Sequence, residues 1–139
     1  MSLWHSILSV LFMAGIAVPA PAPVDEPLVC KVSALSSSAR ERHQLLGEKL
    51  RSAVIEQIEL DNGYALTLDL ARLPLDAHGQ PFCVVEVAEC VDLESRCCPF
   101  LDFGIELSGK GGLVKLRLTG GKNVKAFLKT ELGLLSPKG

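Results

Sequence analysis

Apolar residues along this chain switch between helical and strand spacing, and the switches mark its elements. Leu46, Leu50, Ala53 and Val54 recur at helical spacing, with Arg40, Glu41, Arg42, Glu48, Lys49 and Arg51 on the opposite side. Ser36, Ser37 and Ser38 precede this stripe. Glu41 follows Ser38 by three residues, the spacing of a capping box, so the pattern predicts a helix over 39–54. Gly47 inside it costs about 1 kcal/mol relative to alanine. Over 55–70 the period falls to two. Ile58 and Leu60, then Ala65, Leu66, Leu68 and Leu70, alternate with polar residues and predict two antiparallel strands. Asn62-Gly63 lies between them, a strong hairpin signal because both turn positions favour positive φ. Residues 71–81, with two prolines, Asp76 and Gly79, predict a loop.

The segment 82–96 has the valines of a strand but the unbroken length of a helix. Helical spacing puts Val84, Val87, Ala88, Val91 and Cys98 on one face and Glu86, Glu89, Asp92 and Arg96 on the other. A helix is the expectation, ended by Pro99, which pushes the residue before it out of the α region. Alternation returns over 100–107 with Phe103, Ile105 and Leu107, turns at 109–112, and resumes over 113–118 with Val114, Leu116 and Leu118. A last helix over 124–132 turns Val124, Phe127 and Leu128 inward and Lys122, Lys125 and Lys129 outward, with Gly133 as its C-cap. Residues 30–35 form a short extended lead-in to the first helix. The fold class expected is α+β, in the order helix-hairpin-helix-hairpin-helix. It comprises a four-stranded, mainly antiparallel sheet with helices on one face.

Composition narrows the class. Of 139 residues, 48% are hydrophobic and 22% charged, enough for a packed core. A net charge of −2 and 5% aromatic residues offer neither a basic face nor a stacking platform, so nucleic acid is not a predicted partner. Residues 3–18 are mostly apolar, shorter than the about 20 residues of a membrane span and closer to a signal-peptide core. No Lys or Arg precedes this run, and prolines follow both Ala20 and Ala22. The expected organisation is a hydrophobic leader or signal peptide over 1–22, a Pro-rich linker over 23–29, one α+β domain over 30–135 and a tail over 136–139. Export to the periplasm or beyond is the expected localisation. The alternative is a cytoplasmic protein whose start lies too far upstream, and membrane contact is expected only through an uncleaved leader.

Several blocks carry a resemblance. Cys30 stands ahead of a Ser-capped helix, and Leu60-Asp61-Asn62-Gly63-Tyr64-Ala65-Leu66 follows. Then come Leu93-Glu94-Ser95-Arg96-Cys97-Cys98-Pro99-Phe100-Leu101-Asp102-Phe103, Leu116-Arg117-Leu118-Thr119-Gly120 and Lys125-Ala126-Phe127-Leu128. From Cys30 to about residue 132 the chain resembles a family of small, functionally uncharacterised bacterial proteins, with the Cys-Cys-Pro-Phe block the most specific part. Members of that family begin near the equivalent of Cys30, so the leader departs from them. The resemblance implies no reaction and supports the helix over 82–96.

Five cysteines are the candidate chemistry. Cys83, Cys90 and Cys97 recur every seven residues, which on a helix spaces neighbours about 10.5 Å apart, too far to share a metal. No Cys-x-x-Cys pair occurs, and neither His43 nor His78 stands at a zinc-ligand spacing from a cysteine. The site expected is Cys30, Cys97 and Cys98, brought together where the middle helix ends, binding a soft metal ion (Cu, Zn or Hg) or exchanging thiols. Thiols at a helix C-terminus meet the negative end of its dipole, which disfavours the thiolate. The rival reading is a structural or protein-interaction domain whose cysteines are core or disulfide residues. In an exported chain, Cys30 with Cys97 or Cys98 is the bridge expected, and an odd count leaves at least one thiol over. Glu86, Glu89, Asp92 and Glu94 read as a solvated helix face, and Asp102 as an outward strand residue. An enzyme is the third reading and requires a cleft joining Cys97 or Cys98 to Asp102 or His43.

Overall fold

The computed structural model describes residues 17–20, 28–109 and 112–131. Most of the expected leader and linker, the Gly133 cap and the tail lie outside the described residues. The architecture is α+β. Three helices, α1 (Ser37–Ala53), α2 (Val84–Cys97) and α3 (Val124–Glu131), accompany one antiparallel sheet of β1 (Val54–Leu60), β2 (Gly63–Asp69), β3 (Leu101–Leu107) and β4 (Leu113–Gly120). The strand order is β1-β2-β4-β3, so the two central strands come from different halves of the chain.

The central strands carry the core face. Tyr64, Leu66 and Leu68 of β2 stand opposite Leu118, Leu116 and Val114 of β4, and all six are buried. Leu46, Leu50 and Ala53 of α1 and Val87, Cys90, Leu93 and Cys97 of α2 pack into the same cluster. A fully buried leucine contributes about 1.5–3 kcal/mol, so Leu46 and Leu68, with no exposed surface, are among its strongest members.

Four local expectations change. Ser36, not Ser38, caps α1, accepting from the Ala39 N–H at 3.2 Å, so the helix begins earlier than the capping-box spacing predicts. The lead-in is not fully extended: Val32–Ala34 forms a single 3-10 turn. In α2 the buried stripe is Val87, Cys90, Leu93 and Cys97, while Ala88 is exposed. The helix is rolled because its Glu89 and Glu94 edge is drawn to α1. Arg42 donates to both Glu89 oxygens at 2.8 Å, and His43 bonds Glu94. Finally, the pairing of β1 slips between Val54 and Glu56. That slip puts Ile58 opposite Ala65 on the outer face and Glu59 opposite Tyr64 on the helix side. There Glu59 meets Lys125 of α3 at 2.5 Å, so Ile58 does not enter the core as its alternation predicts.

Candidate thiol site

Pro99 stops α2, leaving Cys97 as its last helical residue and Cys98 as its C-cap. The Cys98 N–H donates to the Glu94 carbonyl at 2.8 Å, and the Leu101 N–H donates to the Cys98 carbonyl at 3.0 Å. These two bonds turn the chain directly into β3. The lead-in docks against the same corner, because the Lys31 N–H donates to the Cys97 carbonyl at 2.8 Å. Cys30 thereby meets Cys98 across 68 residues, with Cα atoms 4.7 Å apart and the sulfurs joined as a disulfide. That Cα separation lies within the range disulfides span.

Glu94 sits one helical turn before Cys98, on the same side of α2. Its Oε1 is 3.2 Å from Cys98 Sγ and 4.0 Å from Cys30 Sγ. Its other oxygen, Oε2, is held by a short contact with His43 Nε2. Both side chains are largely enclosed, 17% exposed for Glu94 and 23% for His43. The sulfurs of Cys30 and Cys98 and a Glu94 oxygen lie within 4.8 Å of one another. With the disulfide open, these are two soft donors and one hard one.

Of the expected trio, Cys30 and Cys98 come together and Cys97 does not. Cys97 is buried in the core at 1% exposure and is not among the grouped donor atoms, where Glu94 stands instead. Burial, and then the Glu94 charge, push the Cys97 thiol up. The acid cluster is dispersed. Glu86 accepts from the Cys83 N–H at 2.8 Å, Glu89 pairs with Arg42, and Asp92 pairs with Arg96 at 2.6 Å. Asp102 is exposed on β3. The sequence places Glu94 on a solvated face and His43 only in the enzyme reading, and assigns neither to the thiol site. The four-residue spacing from Glu94 to Cys98 was a readable signal, whereas nothing local marked His43.

Cys30, His43, Gln44, Arg51 and Glu94 border a cavity of about 360 Å³. Leu66, Leu68, Leu116 and Leu118 line it from the sheet, and Leu50, Val91 and Phe103 add to an apolar lining. Gly47 of α1 also faces it, and a Cβ there would meet nothing within 4 Å. Cys90 is in the wall as well. Burial, with Glu94 and Glu89 adding and Arg51 opposing, pushes its thiol up to about 12.

Two outcomes follow for the free thiols. Cys83 is exposed, while Cys90 and Cys97 are buried and disfavour the reactive thiolate. Titration of the native, oxidised protein with a chromogenic disulfide at pH 8 therefore finds one fast thiol, rising to three on unfolding. Two or more fast native thiols would contradict this placement. Alkali also weakens the fold through Cys90. Its thiol ionises near 9.0 when unfolded and near 12 when folded, so above pH 9 the unfolded state sheds the proton first. The contribution is intact below pH 9 and falls by about 1.4 kcal/mol per pH unit above it. Denaturant titrations of the wild type and Cys90→Ala from pH 8 to 10.5 should converge with rising pH; parallel curves would contradict it.

Compared with family models, curated proteins and solved structures, the chain finds no match.

Proposed function

We propose that the protein is a small, non-enzymatic thiol module that works by opening and closing the Cys30–Cys98 pair, with Glu94 and His43 as its polar neighbours. One observation carries the reading. A sulfur pair, a carboxylate and an imidazole from three separate parts of the chain converge, and Cys30, Glu94 and His43 among them border an apolar cavity. The carboxylate 3.2 Å from the Cys98 sulfur is placed to exchange a proton with it when the bond opens, which a bridge serving stability alone does not need. We also group the chain with the small bacterial proteins it resembles through Cys97-Cys98-Pro99-Phe100. Export through the leader would place the pair in oxidising surroundings.

The test equilibrates the folded protein in glutathione buffers of graded potential. Intact mass after alkylation then reads the fraction of open pairs. Reversible opening with native far-UV circular dichroism is expected. A pair that opens only together with global unfolding would mark a structural bridge and overturn the proposal.

A second reading concerns the open form, in which Cys30, Cys98 and Glu94 present donors within 4.8 Å suited to Zn(II), Cu(I) or Hg(II). Native mass spectrometry of reduced Cys83→Ser protein with Zn(II) or Cu(I) should show one ion per chain, lost in Cys98→Ser. No adduct, or an adduct indifferent to Cys98→Ser, rejects it.

A further inference from the structure

We propose that the cavity holds a small apolar thiol that exchanges with the Cys30–Cys98 disulfide, Cys30 being the sulfur attacked and Cys98 the sulfur that leaves. This rests on Cys30–Cys98 being the working pair, and adds the class of substrate and the direction of attack.

The two sulfurs are not equivalent. Cys30 is half-buried and borders the cavity, whereas Cys98 is fully buried and does not. A nucleophile approaching from the cavity therefore meets Cys30 first and displaces Cys98. The cavity itself sets the ligand class. Its volume of about 360 Å³ falls in the range of small-molecule pockets, and its walls are leucine, valine and phenylalanine. Glu94 and, through it, His43 stand beside the disulfide, and the leucines of the sheet line the cavity away from them. A ligand with a hydrocarbon body and a sulfur terminus matches that division.

Gly47 is the second pointer. Glycine within a helix costs about 1 kcal/mol relative to alanine, yet here no steric contact demands it. What its missing side chain does leave is open cavity. Cys90, the other thiol in the wall, does not compete, because burial keeps it protonated.

The exchange balances without an outside oxidant or reductant. The incoming thiol forms a new S–S bond to Cys30 as the Cys30–Cys98 bond breaks. The electron pair of the old bond stays on Cys98 sulfur, and the proton of the incoming thiol ends there. Glu94 Oε1, 3.2 Å from that sulfur, is placed to pass it on. In reverse, Cys98 attacks the mixed disulfide and releases the ligand as a thiol, which makes Cys98 the resolving cysteine.

The experiment compares 2-phenylethanethiol with 2-mercaptoethanol as openers of the oxidised, folded Cys83→Ser protein at matched thiolate concentration. Acid quench and intact mass give the rates. The apolar thiol should be faster by about tenfold, as burial of its ring allows. Gly47→Leu and Val91→Phe, each shown folded by circular dichroism, should bring the two rates together. In the Cys83→Ser, Cys98→Ser double variant, the symmetric disulfide of 2-phenylethanethiol should leave one adduct, mapped to Cys30. Equal rates in the parent protein, a preference surviving both cavity variants, or no Cys30 adduct would overturn the inference while leaving the thiol-module proposal standing. Failure of both thiols to open the native pair would overturn the inference and the thiol-module proposal together.

Discussion

Reducing the Cys30–Cys98 bond should lower the stability of the domain by about 4 kcal/mol. The bond closes a loop across 68 residues, and the chain-entropy relation for a loop of that length gives about 4 kcal/mol through restriction of the unfolded chain. For a domain of this size each kcal/mol shifts Tm by about 4–8 °C, so a shift of about 15–30 °C is expected. The dithiol should still fold, since the buried cluster and the Lys31–Cys97 backbone bond do not depend on the sulfur link. Thermal melts with and without reductant, beside the Cys30→Ser, Cys98→Ser double variant, give the measurement. Coincident melts would mean that the bond either does not form in solution or constrains an unfolded chain that is already compact. The Cys97→Ser variant separates the neighbours. It should retain the shift on reduction, because Cys97 is a free thiol in the core.

Gly63→Ala should cost about 3 kcal/mol, the upper end for overpacking, because the obstruction is backbone and cannot rotate away. A Cβ on Gly63 would run into the Leu118 carbonyl of β4, with the Thr119 Cα 2.8 Å away. The turn does not require this glycine. The residues at positive φ among those described are Gly79, Gly112 and Asn123, and neither Asn62 nor Gly63 is one of them. Asp61 and Asn62 make the turn, and Gly63 opens β2 opposite Leu60 and Thr119. Gly63→Asn distinguishes the two accounts. Asparagine tolerates positive φ, so a turn requirement would spare it, whereas close approach of β4 penalises any side chain. Urea midpoints at an unchanged m-value decide the matter.

The Asn62-Gly63 pair shows how the sequence was legible for one reason and wrong for another. A hairpin stands where the pair predicts it, but the glycine answers to a strand more than fifty residues away. Long, periodic segments such as α1 and α2 were readable because one amphipathic stripe reports on both helix and core. The roll of α2 was not readable, since it is set by Arg42 and His43 reaching Glu89 and Glu94 from another helix. Ile58 fails for a related reason: a pairing slip of one position reverses the face of every residue after it. At the site, the approach of Cys30 to the Cys97-Cys98 corner was visible because Pro99 marks it, but not which of the two it meets. Cys97, the last helical residue, packs into the core and does not share the position. The carboxylate one turn earlier could, and Glu94 does.

The backbone bond from Lys31 to the Cys97 carbonyl bears on what happens when the disulfide opens. It fastens the segment carrying Cys30 to the end of α2 independently of sulfur chemistry. Loss of the covalent tie therefore need not release that segment into solvent. Re-oxidation then begins from thiols already side by side, at high effective concentration and without a new conformational search. Opening and closing of the bond, as proposed, would leave the surrounding walls in place.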